Sequence, residues 1–208
     1  MKAVSQTQTK EPKRPYELGK RLEHMDQSRA AILRAARAHL AEGGYRQLTM
    51  ASLAAESGVT RQTVHNLFGT KTAVLEALFD VMALGGGMER MREVMTQPSA
   101  ETMLERFVEV FCRFWSTDRL LLRRIRGIGA IDPEFGAVIQ ARDRRRLMAA
   151  NRIAAQLSPG QGSSQAAATL AALTSFEFFD ALVESALSEP QAAAVVLRLA
   201  RALFAIAT

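Results

Sequence analysis

The chain has 208 residues, 48% of them hydrophobic but only 6% aromatic, and it carries 27 Lys and Arg against 21 Asp and Glu. This length allows one large domain or two small ones with a sizeable core, which excludes a peptide-sized scaffold. A core of Ala, Leu and Val favours helices over sheets. The formal charge of +6 suits a polyanionic partner without establishing one, and a single cysteine, Cys112, excludes an intrachain disulfide.

Residues 1–26 predict a flexible basic arm, because Lys and Arg are interspersed there with prolines and polar residues. The arm could contact DNA or remain a plain tail. It lacks the apolar stretch of a secretory signal, and charged residues interrupt the apolar segments near 166–187 and 191–207, so no membrane span is expected. Together with the lone cysteine, these features predict a soluble, cytoplasmic protein.

Four helices are predicted between residues 27 and 84. In the first, apolar residues recur at helical spacing until a pair of glycines stops them. Threonines at 49, 60 and 70 then stand as N-caps before "MASLAAES", "RQTVHNLF" and "KTAVLEALFDVMAL". Ala54 permits close helix contact and Gly58 permits a tight turn, so the second and third helices form a helix-turn-helix.

The third helix carries a dense polar face. At about 100° per residue, Val64 and Leu67 fall on one side and Gln62, His65 and Asn66 fall opposite, with Arg61 at the edge. Guanidinium and amide groups on such a face suit the base edges of a DNA major groove. A solvent-exposed helix with ordinary polar residues is the alternative.

This segment, "ILRAARAHLAEGGYRQLTMASLAAESGVTRQTVHNLFGTKTAVLEAL", resembles the DNA-binding region of TetR/AcrR-type transcriptional regulators. The resemblance covers about a quarter of the chain and implies that Thr49, Thr60 and Lys71 contact phosphates, which hydroxyl and ammonium groups suit. The predicted DNA-binding set is Thr49, Thr60, Arg61, Gln62, Thr63, His65, Asn66 and Lys71. The chain departs from the family pattern at two positions. His65 stands where the family usually has tyrosine, and Leu67 stands where it usually has histidine or tyrosine.

Beyond the triple glycine at 85–87, longer helices are predicted at 100–115, about 118–129, 133–157, 164–187 and 191–207. The resemblance implies that this region is a ligand-binding and dimerisation domain. Aromatic residues on two of these helices predict an apolar effector site, with two carboxylates that add polarity if they face inward, although such stripes more often form core. The predicted effector-binding set is Phe107, Phe111, Trp115, Phe176, Phe179, Glu177 and Asp180.

The last two predicted helices, 164–187 and 191–207, are rich in small and apolar residues, which predicts a homodimer through a four-helix bundle. The apolar residues on which this prediction rests are Leu170, Leu173, Val183, Leu187, Val195, Val196, Leu199 and Phe204. The dense arginines between 119 and 146 are interpreted as a solvated face, with binding of an acidic effector as the alternative. No convergent catalytic set, metal-ligand cluster or cofactor motif is present in the sequence, so we expect neither an enzyme nor a metal or cofactor site.

The sequence therefore predicts an all-α fold: an N-terminal three-helix helix-turn-helix DNA-binding domain joined to a larger helical-bundle ligand-binding and dimerisation domain. The expected divisions are residues 1–26 for the arm, 27–75 for the DNA-binding domain and 76–208 for the rest. The predicted function is a repressor released from an inverted-repeat operator by a small, largely apolar effector. A constitutive DNA-binding dimer and an activator are the alternatives.

Overall fold

The computed structural model describes residues 15–160 and 162–205, which form eleven α-helices and a short 3-10 turn, with no strand in those ranges. In chain order the helices are α1 Pro15–Ala41, α2 Met50–Ser57, α3 Arg61–Phe68, α4 Lys71–Gly85, α5 Met91–Val94, α6 Ala100–Trp115, α7 Arg119–Ile131, α8 Pro133–Leu157, α9 Ser163–Leu173, α10 Phe176–Glu184 and α11 Glu189–Leu203. The all-α prediction is thereby confirmed.

The first helix begins at Pro15 and not near Gln27. Proline is favoured in the first turn of a helix, and the residues after it include many good helix formers. The prediction of a flexible arm is therefore wrong for residues 15–26, and the remainder of the predicted arm, residues 1–14, lies outside the described residues.

Helices α1, α2 and α3 pack around a small apolar core. Ile32, Leu53 and Val64, one from each helix, are fully buried there. Helix α4 follows directly and contacts α1 and α3 at one end and α6 and α8 at the other. The predicted domain boundary at residues 75 and 76 lies inside this continuous helix.

The larger part of the chain is built around α6, which contacts α4, α8, α10 and α11. Its strongly apolar side is buried, with Phe107 and Phe114 almost fully enclosed. Cys112, on the same helix, is also buried, and burial raises the pKa of its thiol to about 12. It is a small apolar packing residue, as expected for a buried free cysteine.

Two glycines are required by close contacts in this part of the chain. A Cβ on Gly86, directly after α4, would lie 2.6 Å from the Phe114 ring, and a Cβ on Gly136 in α8 would lie 2.5 Å from the Gly129 carbonyl oxygen of α7. Backbone can approach this closely only where no side chain intervenes. These contacts fix α4 against α6 and α7 against α8.

The predicted single helix at 164–187 is wrong, because it divides into α9 and α10, which meet at an angle of 48°. At the break, the indole Nε1 of Trp115 donates to the carbonyl oxygen of Thr174 at 3.0 Å, so this carbonyl is held by another helix. Ser175 then caps α10 by accepting from the backbone N–H of Phe178. Among the described residues no single helix combines the length and apolarity needed to cross a bilayer, and only the bent pair α9–α10 meets both requirements jointly.

Candidate DNA-binding surface and ligand cavity

The turn between α2 and α3 has the geometry of a helix-turn-helix. Gly58 ends α2 with φ 69° and ψ 24°, in the left-handed region that glycine enters without strain, and its N–H donates to the carbonyl oxygen of Ala54. Three residues later α3 begins, with Val64 fully buried against the core. One face of α3 is thus fixed inward and the opposite face points to solvent.

Threonine side chains cap three consecutive helices, as predicted. The hydroxyl oxygen of Thr49 accepts from the backbone N–H of Ser52, that of Thr60 from Thr63 and that of Thr70 from Ala73. Each cap satisfies one backbone donor and leaves the others at that helix start open, which is the arrangement that attracts phosphate oxygens.

The exposed face of α3 holds the side chains predicted to read bases: Arg61, Gln62, His65 and Asn66. The Gln62 amide donates to Asn66 Oδ1 at 2.7 Å, so these two side chains are aligned along the helix one turn apart. Thr63 is half-buried, and its hydroxyl lies 2.8 Å from that of Thr60. The exposed surface combines guanidinium, amide and imidazole groups.

Lys71, at the start of α4, is half-buried beside Tyr45. Its Nζ donates to the Tyr45 carbonyl oxygen at 3.0 Å and lies 3.5 Å from the centre of the Tyr45 ring, and burial lowers the pKa of this ammonium group. The Tyr45 hydroxyl donates to Asp132, the N-cap of α8. Burial and this hydrogen bond raise the pKa of Tyr45 to about 12. The same hydrogen bond lowers the pKa of Asp132.

Two further contacts join the two parts of the chain. A guanidinium N–H of Arg124, on α7, donates to the carbonyl oxygen of Leu40 near the end of α1, and Arg37 pairs with Asp118, the N-cap of α7. The helix-turn-helix is therefore connected to the start of both α7 and α8.

A cavity of about 260 Å³ lies between α4, α6, α7 and α8. Its apolar wall is formed by methionines and aromatic rings, among them Phe79 of α4 and Phe111, Phe114 and Trp115 of α6. Its polar wall holds four arginines and two aspartates: Arg126, Arg142, Arg145, Arg146, Asp80 and Asp143.

Two of the predicted effector-binding residues, Phe111 and Trp115, line this cavity. Phe107, Phe176 and Phe179 are buried but do not line it. The two predicted carboxylates also lie elsewhere: Glu177 is exposed and pairs with Arg126, and Asp180 binds the guanidinium groups of Arg119 and Arg123. These arginines hold the pKa of Asp180 below its ordinary value.

The interpretation of the arginines as a solvated face is wrong for Arg126, Arg142 and Arg146, whose side chains are only 13%, 14% and 9% exposed. The sequence analysis gave binding of an acidic effector by these arginines only as the alternative and placed none of them in the predicted effector-binding set. One signal was present, because Arg142 and Arg146 are four residues apart on the same side of α8 as buried Ile139 and Ala150. A guanidinium group can occupy such a face when carboxylates accompany it.

The apolar residues predicted to form the dimer differ in exposure. Leu170 and Val196 are fully buried within the chain and cannot supply an outer surface. Leu199 is 37% exposed. The others are half-buried: Leu173, Val183, Leu187, Val195 and Phe204.

Residues 32–78 match the family model described as bacterial regulatory proteins, tetR family. No curated protein matches the chain. Its fold is similar to that of a putative TetR-family transcriptional regulator from Syntrophomonas wolfei, with 18% identity, TM-score 0.69, and coverage of 86% of this chain and 96% of that one.

Two further similar structures are of repressors. SmeT is the repressor of the Stenotrophomonas maltophilia multidrug efflux pump SmeDEF. Its complex with triclosan is 23% identical to this chain, with a TM-score of 0.66, and the similarity covers 84% of this chain and 90% of that one. NalD, the secondary repressor of the MexAB-OprM multidrug efflux pump in Pseudomonas aeruginosa, has 21% identity and TM-score 0.66, with coverage of 85% and 95%.

The helix-turn-helix geometry, the family match over residues 32–78 and the fold shared with solved members agree with one another. The resemblance seen in the sequence is confirmed. Residues 32–78 belong to the DNA-binding domain of the tetR family, and the chain as a whole has the fold of solved regulators of that family.

Proposed function

We propose that this regulator is a cytoplasmic repressor that binds an inverted-repeat operator as a homodimer and is released by a small molecule bound in the cavity. In this proposal α3 enters the major groove with Arg61, Gln62, His65 and Asn66 at base edges, and Thr49, Thr60, Thr63 and Lys71 contact the backbone. Helices α9, α10 and α11 pair with their copies.

The observation that carries the proposal is that one helix serves both sites. Phe79, Asp80 and Ala83 of α4 line the cavity, while Lys71 begins the same helix beside α3. A ligand that shifts the cavity end of α4 also shifts its DNA end. The fold similarity to a repressor bound to triclosan is consistent with this proposal.

A second connection supports the coupling. Helix α8 also lines the cavity, and its N-cap, Asp132, accepts the hydrogen bond from Tyr45, whose carbonyl oxygen binds Lys71. Ligand binding can shift an equilibrium only through a difference in affinity between two states. A coupling of about 1–3 kcal/mol corresponds to about 5–150-fold weaker DNA binding.

The proposal is tested by screening small organic compounds for a thermal shift and measuring how each hit changes affinity for a selected operator duplex. We expect hits to weaken DNA binding by at least about fivefold. Ala149→Phe, which fills the cavity, should abolish the thermal shift, whereas Ala155→Phe, on the exposed side of α8, should retain it. Compounds that stabilise the wild type through the cavity yet leave DNA affinity unchanged would contradict the release mechanism and favour constitutive DNA binding.

A further inference from the structure

The charges around the cavity are distributed unequally between its interior and its rim. The side chains of Arg126, Arg142 and Arg146 are 9–14% exposed, whereas their carboxylate partners are 31–60% exposed. Those partners are Asp143, Glu177, Glu76 and Asp80. Water screens a charge that it reaches far more than one that is enclosed, so the positive ends dominate the potential inside the cavity.

Arg146 is the least compensated of these groups. Its one ion pair among the described residues is with Asp143, at 3.1 Å, and Asp143 also binds Arg126. Its Nε is buried and has no hydrogen-bond partner within the described part of the chain. Burial also lowers the pKa of this guanidinium group. A buried charged group with an unsatisfied donor is costly, and an anion bound to this guanidinium group would offset part of that cost.

The apolar, aromatic wall of the cavity lies directly beside these arginines. Phe111 lies beneath the Arg146 guanidinium, 5.8 Å from its carbon to the ring centre, and the Phe79 ring lies 4.9 Å from the carbon of Arg142. Phe114 and Trp115 complete this wall. A molecule that contacts both walls has an anionic head and an apolar body.

The volume limits the size of that molecule. At about 30 Å³ for each water-sized group, a cavity of about 260 Å³ holds on the order of ten non-hydrogen atoms. An aromatic or short aliphatic acid has this size and would fill the cavity.

We propose that the effector of this regulator is a small amphipathic monocarboxylate, whose carboxylate binds Arg146 and whose apolar body lies against Phe111, Phe114 and Trp115. The inference rests on the proposed effector-released function and specifies its ligand class. A cationic effector is disfavoured, because both carboxylates that line the cavity are already paired with its arginines: Asp80 with Arg142, and Asp143 with Arg126 and Arg146.

The test uses three probes of nearly equal shape and different charge: 3-phenylpropanoate, 3-phenylpropanamide and 3-phenylpropan-1-amine. Calorimetric titration of the wild-type chain at pH 7.5 should give binding of the carboxylate at least about tenfold tighter than the amide, equivalent to about 1.4 kcal/mol, with the amine weakest. Equal or tighter binding of the amide or the amine overturns the proposal, as does the absence of binding by all three.

Substitution of Arg146 assigns the charge preference to that residue. Arg146→Met should reduce the ratio of carboxylate affinity to amide affinity about tenfold or more and keep the weaker binding of the amide. Arg198→Met, on the exposed face of α11, is the control and should leave this affinity ratio unchanged. If Arg146→Met is unfolded by circular dichroism, Arg146→Lys replaces it and should retain part of the ratio. An unchanged ratio in a folded Arg146 variant overturns the assignment.

The same probes separate this inference from the release mechanism. Carboxylate binding that depends on Arg146 but leaves operator affinity unchanged supports the anionic site and contradicts effector release. Operator release by the amide or the amine, without carboxylate binding, supports effector release and overturns the anionic class.

Discussion

On the exposed face of α3, Gln62 and Asn66 present two amides one turn apart, joined by a hydrogen bond of 2.7 Å. An amide can make paired hydrogen bonds to adenine, whereas an ammonium group near the backbone responds to phosphate charge and not to sequence. Lys71, half-buried beneath Tyr45, belongs to the second kind.

We therefore predict that Gln62→Ala relaxes sequence preference at one position of each half-site, at a cost of about 1–3 kcal/mol for the preferred base. Lys71→Ala should instead weaken all duplexes alike and reduce the salt slope of binding by about one. Fluorescence anisotropy on single-base variants of the operator measures both effects. Gln156→Ala, an exposed glutamine on α8, is the control. Equal changes in sequence preference for Gln62→Ala and Lys71→Ala would contradict the assignment of base reading to Gln62 and phosphate contact to Lys71.

Among the helices, the junction of α4 with α6 depends on a residue without a side chain. A Cβ on Gly86 would meet the Cδ2 and Cα of Phe114 at 2.6 and 3.0 Å, while one on the neighbouring Gly85 would meet nothing within 4 Å. Phe114 also stacks edge-on against Phe79, which lines the cavity. A side chain at Gly86 would therefore disturb both the packing of α4 against α6 and the aromatic wall of the cavity.

Gly86→Ala should lower the free energy of unfolding by about 1–3 kcal/mol, because the added methyl overfills a packed contact. Gly85→Ala should change it by less than about 0.5 kcal/mol, or raise it slightly, since alanine is the better helix former. Urea denaturation followed by circular dichroism compares the two. A loss of stability no larger for Gly86→Ala than for Gly85→Ala is incompatible with this contact.

The helix-turn-helix could be predicted closely from the sequence because its signals are local. The caps at Thr49, Thr60 and Thr70 and the turn at Gly58 each act within four residues, and the structure has all of them. The break between α9 and α10 was missed, since it depends on Trp115, 59 residues away in sequence. No helical period reveals that contact.

The lining of the cavity, too, depends on residues that are distant in sequence. Phe111 and Trp115 were found from their spacing on one helix, but the cavity also needs Phe79 from α4 and Arg146 from α8. Arginine is ordinarily exposed, so the sequence favoured a solvated face. Only the packing of α8 against α4 and α6 encloses these guanidinium groups.

For the molecule as a whole, two-fold symmetry would place two recognition helices on one inverted repeat. Leu199 lies on α11 beside half-buried Val195, on the predicted dimer face, and Leu120 of α7 is exposed outside that face. Leu199→Glu should convert the dimer to monomer at micromolar concentration and weaken operator binding, because a charge buried between copies lacks a partner. Leu120→Glu is the control and should remain dimeric. Light scattering measures the oligomeric state of both variants. A wild-type chain that is monomeric and still binds its operator specifically would contradict the predicted dimer.

The most direct test of specific operator binding is an anisotropy titration of the full chain at several salt concentrations. One duplex is an inverted repeat selected from random sequence, and the other is a scrambled duplex of the same composition. We predict that the chain binds the selected duplex at least about a thousandfold more tightly than the scrambled one. The logarithm of the binding constant should fall linearly with the logarithm of the salt concentration. Equal affinity for the two duplexes, or no binding to either at low salt, would contradict specific operator binding.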